Sequence, residues 1–261
     1  MNIDLSNKNA LVCGSTQGIG RATAVELASL GANVAVMARN GEKLKELCEM
    51  LPNNGQKHQY LSADFSHPQQ VKEEIEKFLD ENEGVHILVN NTGGPPGGKA
   101  FEAEPEEYRV AFNLHLVSNQ VLAQAVIPYM RKENYGRIIN IISTSVKIPI
   151  IGLGVSNTIR GAVANWSKTL ANELGEYGIT VNNVLPGSTK TARLDSIFAT
   201  RAEKTNTPVV EVSEAARKGI PAKRFGEAEE VAYAIAFLAS SSAAYINGIN
   251  LPVDGGRTGS L

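Results

Sequence analysis

A doubly wound α/β fold, a parallel sheet with helices on both faces, is what this sequence predicts, and three observations predict it. An apolar strand, Ala10 to Val12, runs into a glycine-rich turn, Gly14 to Gly20, and then into a helix over Arg21 to Leu30 whose apolar residues recur at helical spacing. Apolar runs of strand length then alternate with helical stretches along the chain, which implies right-handed crossovers and a sheet covered on both sides. Finally, 261 residues suit one large domain with a substantial core, and no repeat, linker or low-complexity tract divides them.

The elements follow in order. Asn33 to Ala38 reads as a second buried strand and Glu42 to Leu51 as a second helix; His58 to Ala63, Gln69 to Asn82 and Val85 to Asn90 continue as strand, helix, strand. Glu106 to Lys132 has helical periodicity throughout and is expected as one long helix, followed by a fifth strand over Arg137 to Ile142. Ser156 to Tyr177 is a further long helix, Thr180 to Leu185 a sixth strand and Glu227 to Ala239 a late helix. Ile249 to Val253 makes the seventh strand, where Pro252 suits an edge position because it cannot donate to a neighbour. Between the sixth strand and the late helix, residues 193–218 are charged and poorly periodic. They are expected as a mobile excursion past the carboxyl end of a strand, where an open α/β sheet binds ligands, and so as a lid.

Composition narrows the function. Hydrophobic residues make up 43% and charged residues 20%, as in ordinary globular proteins. A net charge of −2 and a pI near 6.1 speak against nucleic acid or an anionic membrane as partner. The sequence shows no uninterrupted apolar run long enough to span a bilayer and no signal-peptide layout, so a cytoplasmic location is expected. Cys13 and Cys48 have no paired spacing and no histidine cluster beside them; both are expected to be packing residues, and no metal is expected.

A strand that turns on glycines into a helix N-terminus directs backbone N–H groups and the positive end of the helix dipole at one place, which is a phosphate site. Gly14 permits the sharp turn, Gly18 lets the backbone approach a pyrophosphate, and Gly20 lets the helix pack closely on the strand.

With this turn, NNTGG at Asn90 to Gly94, PGSTKT at Pro186 to Thr191 and VDGG at Val253 to Gly256 in place and in order, the chain resembles the short-chain dehydrogenase/reductase family from end to end. It is most similar to the β-ketoacyl-acyl-carrier-protein reductase branch, through Lys218 to Gly256 in particular. The resemblance implies a Rossmann-type fold, a nicotinamide cofactor, a small-molecule substrate and a homotetramer, or a dimer. It assigns Gly14, Ser15, Gln17, Gly18, Ile19 and Gly20 to the pyrophosphate and adenosine ribose, and Asp64 to the adenine amino group. Asn90 and Gly93 fall in the segment that shapes the cofactor groove, and Pro186, Gly187 and Thr191 in the one that clasps the nicotinamide carboxamide. Members using NAD carry an acid near the end of the second strand; here Ala38 stands there, followed by Arg39 and Asn40. A guanidinium binds a 2′-phosphate that a carboxylate would repel, so NADP(H) is expected.

The family's catalytic group is Asn, Ser, Tyr and Lys, with the last two spaced Y-x-x-x-K on one helix face. Asn113 matches the Asn and Ser143 the Ser. The tyrosine position, thirteen residues beyond Ser143, holds Ser156, and the lysine position, six before Trp166, holds Arg160. A serine is a far weaker acid than a tyrosine, and an arginine stays protonated, so ordinary tyrosine-based ketone reduction is not expected. Ser143, Ser156 and Arg160 remain as donors that could converge on one substrate oxygen, suited to hydride addition to an α,β-unsaturated carbonyl. Lys147 is either the replacement acid, desolvated near Arg160 as in reductase-like members with a lysine here and no Tyr/Lys pair, or an exposed loop lysine. His115, two residues past Asn113 and about 200° round an α-helix from it, is set aside. Two readings follow: an NADPH-dependent reductase of a carbonyl or conjugated carbonyl, and a catalytically silent NADP(H)-binding protein with a regulatory or assembly role.

Overall fold

The computed structural model describes residues 2–260. The chain runs β1 (Asn9–Cys13), α1 (Gly18–Ser29), β2 (Asn33–Ala38), α2 (Gly41–Met50), β3 (Gln59–Ser62), α3 (Pro68–Glu81) and β4 (Ile87–Asn90). It continues α4 (Pro105–Phe112), α5 (Ser118–Lys132), β5 (Gly136–Ile141), α6 (Gly154–Leu174), β6 (Ile179–Pro186), α7 (Ala192–Thr205), α8 (Val209–Lys218), α9 (Ala228–Ala239) and β7 (Asn250–Val253). The seven strands form one parallel sheet in the order β3-β2-β1-β4-β5-β6-β7, the doubly wound architecture expected.

Strand composition explains the two layers. In β1, Ala10 and Val12 point into a core shared with Leu27 of α1, Leu44 of α2 and Ile235 of α9. Leu11 and Cys13 alternate to the other face and meet Val71 and Ile75 of α3 and Leu122, Val126 and Met130 of α5. Each such buried aliphatic side chain contributes about 1.5–3 kcal/mol, so strands apolar on both faces belong at the centre. The chain winds one way from β1 to β3 and the other from β4 to β7, which opens a crevice beyond the carboxyl ends of β1 and β4.

Three local expectations change. Helix α1 begins at Gly18, not Arg21, so the last three residues of the glycine turn open the helix. The helix expected over 106–132 is broken by a π turn over Asn113–Val117, where the Ser118 N–H donates to the Asn113 carbonyl. Within the helical run Pro105–Lys132 an 18-residue window reaches a mean hydropathy of 1.3, enough by length and composition for a spanning helix although no uninterrupted apolar stretch marks it; here Leu122, Val126 and Met130 pack on the sheet. Residues 193–218 are a helical pair rather than an irregular excursion. Thr191 caps α7, Asn206 ends it at φ +49°, and Phe198, Ala202 and Val212 close a small core against Phe225.

Inside the sheet lies a row of amides. Asn90, Asn140, Asn183 and Asn250 are in register on β4, β5, β6 and β7. The Asn90 amide donates to Asn140 (2.8 Å), Asn140 to Asn183 (3.1 Å) and Asn183 to Asn250 (2.8 Å). The Ser167 hydroxyl of α6 receives a bond from Asn140 and donates to Asn183, so one helix is pinned to the row.

Candidate functional site

The crevice is built first by backbone contacts that only glycine allows. Gly14 has φ +58° and donates to the Met37 carbonyl at 2.7 Å. A Cβ on Gly14 would stand 2.6 Å from the Asn91 carbonyl oxygen, and one on Gly20 only 2.2 Å from that of Gly14. A Cβ on Gly18, at φ +54°, would stand 3.0 Å from the Thr191 methyl, so the turn after β1 lies close to the segment after β6. The first turn of α1 carries no acidic residue, no side chain caps it, and the Ser15 hydroxyl is fully buried without a partner. Unpaired N–H groups, a positive helix end and an orphaned hydroxyl together suit the phosphates of a dinucleotide, with exposed Gln17 and half-buried Ile19 at the rim.

The neighbouring residues divide into those free to meet a ligand and those already engaged. Asn90 is buried and turned into the amide row rather than lining the groove; Asn91 instead donates to the carbonyls of Cys13 (3.3 Å) and Gly14 (3.1 Å), holding the turn against β4. Gly93 is exposed with open space at its Cα. Asn40 is spent on capping α2, its side chain accepting from Lys43 N–H. Arg39 is 76% exposed and lies 3.8 Å from Asp64. Burial raises the Asp64 carboxyl, but bonds from the Ser66 N–H and hydroxyl and the Arg39 charge bring it below its ordinary value overall. After β6, the Gly187 N–H donates to Val253 and its Cα abuts Asp254, while Pro186 ends the strand.

At the carboxyl end of β5, Ser143 accepts a bond from Ser145 N–H at 3.1 Å and caps a short 3-10 turn over Thr144–Val146. Ser156 and Arg160 lie one turn apart on the buried stripe of α6, as their spacing predicts, and Arg160 Nη1 donates to the Ile141 carbonyl at 2.9 Å. That bond ties Arg160 two residues from Ser143. Burial first, then the Arg193 charge, lowers the Arg160 guanidinium to about 10, so it is still a cation at neutral pH. Asn113 opens the π turn. Lys147 is exposed just past the 3-10 turn; the desolvated setting expected for a replacement acid is not what the fold provides there.

One residue set aside in the sequence enters this region. His115 is 1% exposed; its Nδ1 lies 2.5 Å from the Thr92 hydroxyl and its Nε2 has no partner. Burial, then the charges of Arg160 and Arg193, holds its pKa well below the usual histidine range, so the ring is neutral. Even inside the π turn His115 lies about 160° round the helix from Asn113, so it enters the region through its burial beside Thr92 and not from Asn113's face. Arg193, in the first turn of α7, reaches across to the Pro95 carbonyl (Nη2 to O, 2.7 Å) and joins the segment after β4 to the helical pair. Among the described residues, no group of His, Cys, Asp and Glu could hold a metal ion.

Comparison with known proteins agrees with this geometry. The family described as enoyl-(acyl carrier protein) reductase, a short-chain dehydrogenase family, matches residues 14–258. The chain is 33% identical over 254 residues to the 3-oxoacyl-[acyl-carrier-protein] reductase FabG of Vibrio cholerae, covering 97% of this chain and 98% of that one. Among solved structures it is similar to YwfH, an NADPH-dependent reductase involved in bacilysin biosynthesis, with TM-score 0.93 and 28% identity over 98% of this chain and 100% of the other. It is also similar to L-sorbose reductase from Gluconobacter frateurii, solved with NADPH and L-sorbose, with TM-score 0.93, 29% identity and full coverage of both chains (100%). The chain belongs to the short-chain dehydrogenase/reductase family and is an NAD(P)H-dependent oxidoreductase.

Proposed function

We propose that the protein uses NADPH to reduce a carbonyl or α,β-unsaturated carbonyl compound through an active site in which Ser156 and Arg160 stand at the family's tyrosine and lysine positions. What supports this reading is the tethering of Arg160 to the Ile141 carbonyl, two residues before Ser143 in sequence, with Ser156 one turn away on the same buried stripe of α6. When bound, the cofactor supplies the hydride. Ser143, Ser156 and Arg160 hold the substrate oxygen and stabilise the negative charge that develops on it, with each donor contributing about 3 kcal/mol in a dry site. Arg160 keeps its proton at neutral pH, so it orients and stabilises rather than exchanging a proton. For a conjugated carbonyl no side-chain acid is then required, because protonation on carbon can come from water.

Arg39 favours NADPH over NADH: it is exposed at the end of β2, where Ala38 leaves no carboxylate to repel a 2′-phosphate. The glycine turn from Gly14 to Gly20, Asp64, Gly93, Pro186, Gly187 and Thr191 complete the cofactor site, with Asn91 holding the turn against β4. The whole chain acts as one dinucleotide-binding domain, with α7 and α8 as the lid over the substrate, in a cytoplasmic homotetramer or dimer.

The test is NADPH consumption against saturated ketones paired with their α,β-unsaturated analogues. Turnover on the unsaturated members supports the donor site; turnover on ketones demands an acid, and Lys147→Met then reports whether Lys147 is that acid. The lack of an ionisable acid at Ser156 favours the second reading, a silent NADP(H)-binding protein. Tight NADPH binding without turnover on any member would favour it.

A further inference from the structure

The π turn that interrupts the long helix is tied to separate parts of the crevice. Leu114 packs against the core that holds Leu122 and Val126, and Leu116 against the cluster of Ile142, Val163 and Ala164, so the turn is held on two sides. Ser118, fully buried just past the turn, donates from its hydroxyl to the Phe65 carbonyl at 2.7 Å, next to Asp64. His115, within the turn, is bonded through Nδ1 to the Thr92 hydroxyl, 23 residues away in sequence and between Asn91 and Gly93. Asn91 in its turn donates to the Cys13 and Gly14 carbonyls. The Nε2 of His115 is buried without a partner, so Thr92 alone fixes the ring by a hydrogen bond.

A histidine in a dry interior with half of its hydrogen-bonding capacity unspent is costly, and an apolar residue of similar size would serve packing alone better. What the imidazole adds is a rigid arm to Thr92. Beyond Thr92 the chain runs into Gly93 and Gly94, whose backbone is free to take many courses, so a tie on Thr92 sets where the segment leaves β4. The order of the strands places that tie along the cofactor. Arg39 and Asp64 follow β2 and β3 on one side of the glycine turn, whereas β4 lies on the other side, toward β5 and Ser143. Thr92 therefore borders the half of a dinucleotide that bears the nicotinamide, and Phe65 the half that bears the adenine. We propose that His115 is a positioning residue: through Thr92 it holds the groove wall beside the nicotinamide half in register with the turn that opens at Asn113, while Ser118 does the same for the adenine end. This rests on the dinucleotide reading of the crevice. His115 itself touches no ligand, its side chain being closed off from solvent.

The experiment titrates two ligands by calorimetry: NADPH, and adenosine 2′,5′-bisphosphate, which carries the adenine and the 2′-phosphate but no nicotinamide half. Thr92→Val exchanges the hydroxyl for a methyl of similar shape, His115→Phe keeps a ring without polar atoms, and His115→Asn keeps a polar atom near the place of Nδ1. Thr92→Val and His115→Phe are each expected to weaken NADPH about two- to tenfold, the range of one neutral hydrogen bond, and to leave adenosine 2′,5′-bisphosphate at its wild-type affinity. The double variant should be no worse than the weaker single one, because both substitutions remove the same bond. His115→Asn should recover part of the loss, and Ser118→Ala should weaken both ligands. A histidine that serves packing alone lowers Tm without distinguishing the two ligands. Single variants that shift both ligands alike, or neither, therefore overturn the proposal, and NADPH binding by the wild type then leaves the cofactor reading standing. Additive losses in the double variant overturn it as well. A wild-type protein that binds neither ligand overturns the positioning role and the cofactor reading together.

Discussion

Replacing Gly20 by alanine tests how the cofactor turn is built. A Cβ at this position would lie 2.2 Å from the Gly14 carbonyl oxygen, 2.7 Å from the Asn91 amide nitrogen and 2.8 Å from the Gly14 carbonyl carbon. Ordinary van der Waals contact begins about 1 Å further out, and two of the three obstacles are backbone, so α1 must move away from the end of β1. Overpacking of this kind costs about 1–3 kcal/mol, which for a chain of this size is a fall in Tm of roughly 2–12 °C. The same displacement withdraws the N–H groups at the helix start from the phosphate position. Loss of one charge-assisted bond weakens NADPH binding by roughly ten- to a hundredfold. Differential scanning fluorimetry and fluorescence titration with NADPH read the two effects. A Gly20→Ala protein with wild-type Tm and wild-type affinity would refute the packing argument and the assignment of this turn together.

Arg39→Leu is expected to weaken NADPH about tenfold or more and leave NADH in its wild-type range, since only the 2′-phosphate meets the guanidinium; equal losses for both nucleotides would remove Arg39 from cofactor choice. Asn140→Ala should lower stability by about 1–3 kcal/mol for each partner left unpaired in the dry interior, read as a lower urea midpoint at unchanged slope. Glu230 is held down to about 2 by its bond from Arg224 and by the Glu227 N–H. The folded form therefore releases this proton more readily than the unfolded chain. Its contribution is complete above the ordinary carboxylate range, near 4.5, and is lost as the pH falls toward about 2. Glu230→Gln should flatten that part of the acid unfolding curve; an unchanged acid limb would argue against the pairing.

The glycine turn was legible in the sequence because its requirement is steric: positive φ at Gly14 and Gly18 and the contact at Gly20 admit no side chain. The layers were legible because strands buried on both faces read as continuous apolar runs. The π turn over Asn113–Val117 was not, since one extra residue per turn leaves enough apolar positions facing the sheet for the stretch to pass as a single helix. His115 was set aside on its angle from Asn113, while its burial beside Thr92 depends on a segment distant in sequence. Helices α7 and α8 were missed because α7 buries only Phe198 and Ala202 and α8 only Val212, too few apolar residues to impose a period on charged neighbours. Asn40 and Asn90 were recognisable as polar residues near the crevice, but whether such a side chain meets a ligand, a helix cap or another strand depends on its rotamer, which spacing does not encode.

The amide row across β4 to β7 bears on how the sheet is assembled. Strands that are apolar on both faces can slide past one another by two residues and still set hydrophobic groups against hydrophobic groups, so oiliness alone does not choose among these alignments. Asn90, Asn140, Asn183 and Asn250 do choose. A two-residue slip at any one junction would face an amide with an aliphatic side chain and strand donors and acceptors away from water. Such a slip also displaces the ends of β4 and β5, from which the Asn91 stitch and the Ser143 turn depart. The row thus works as an index mark: the alignment that satisfies it is the one in which the two halves of the crevice come level.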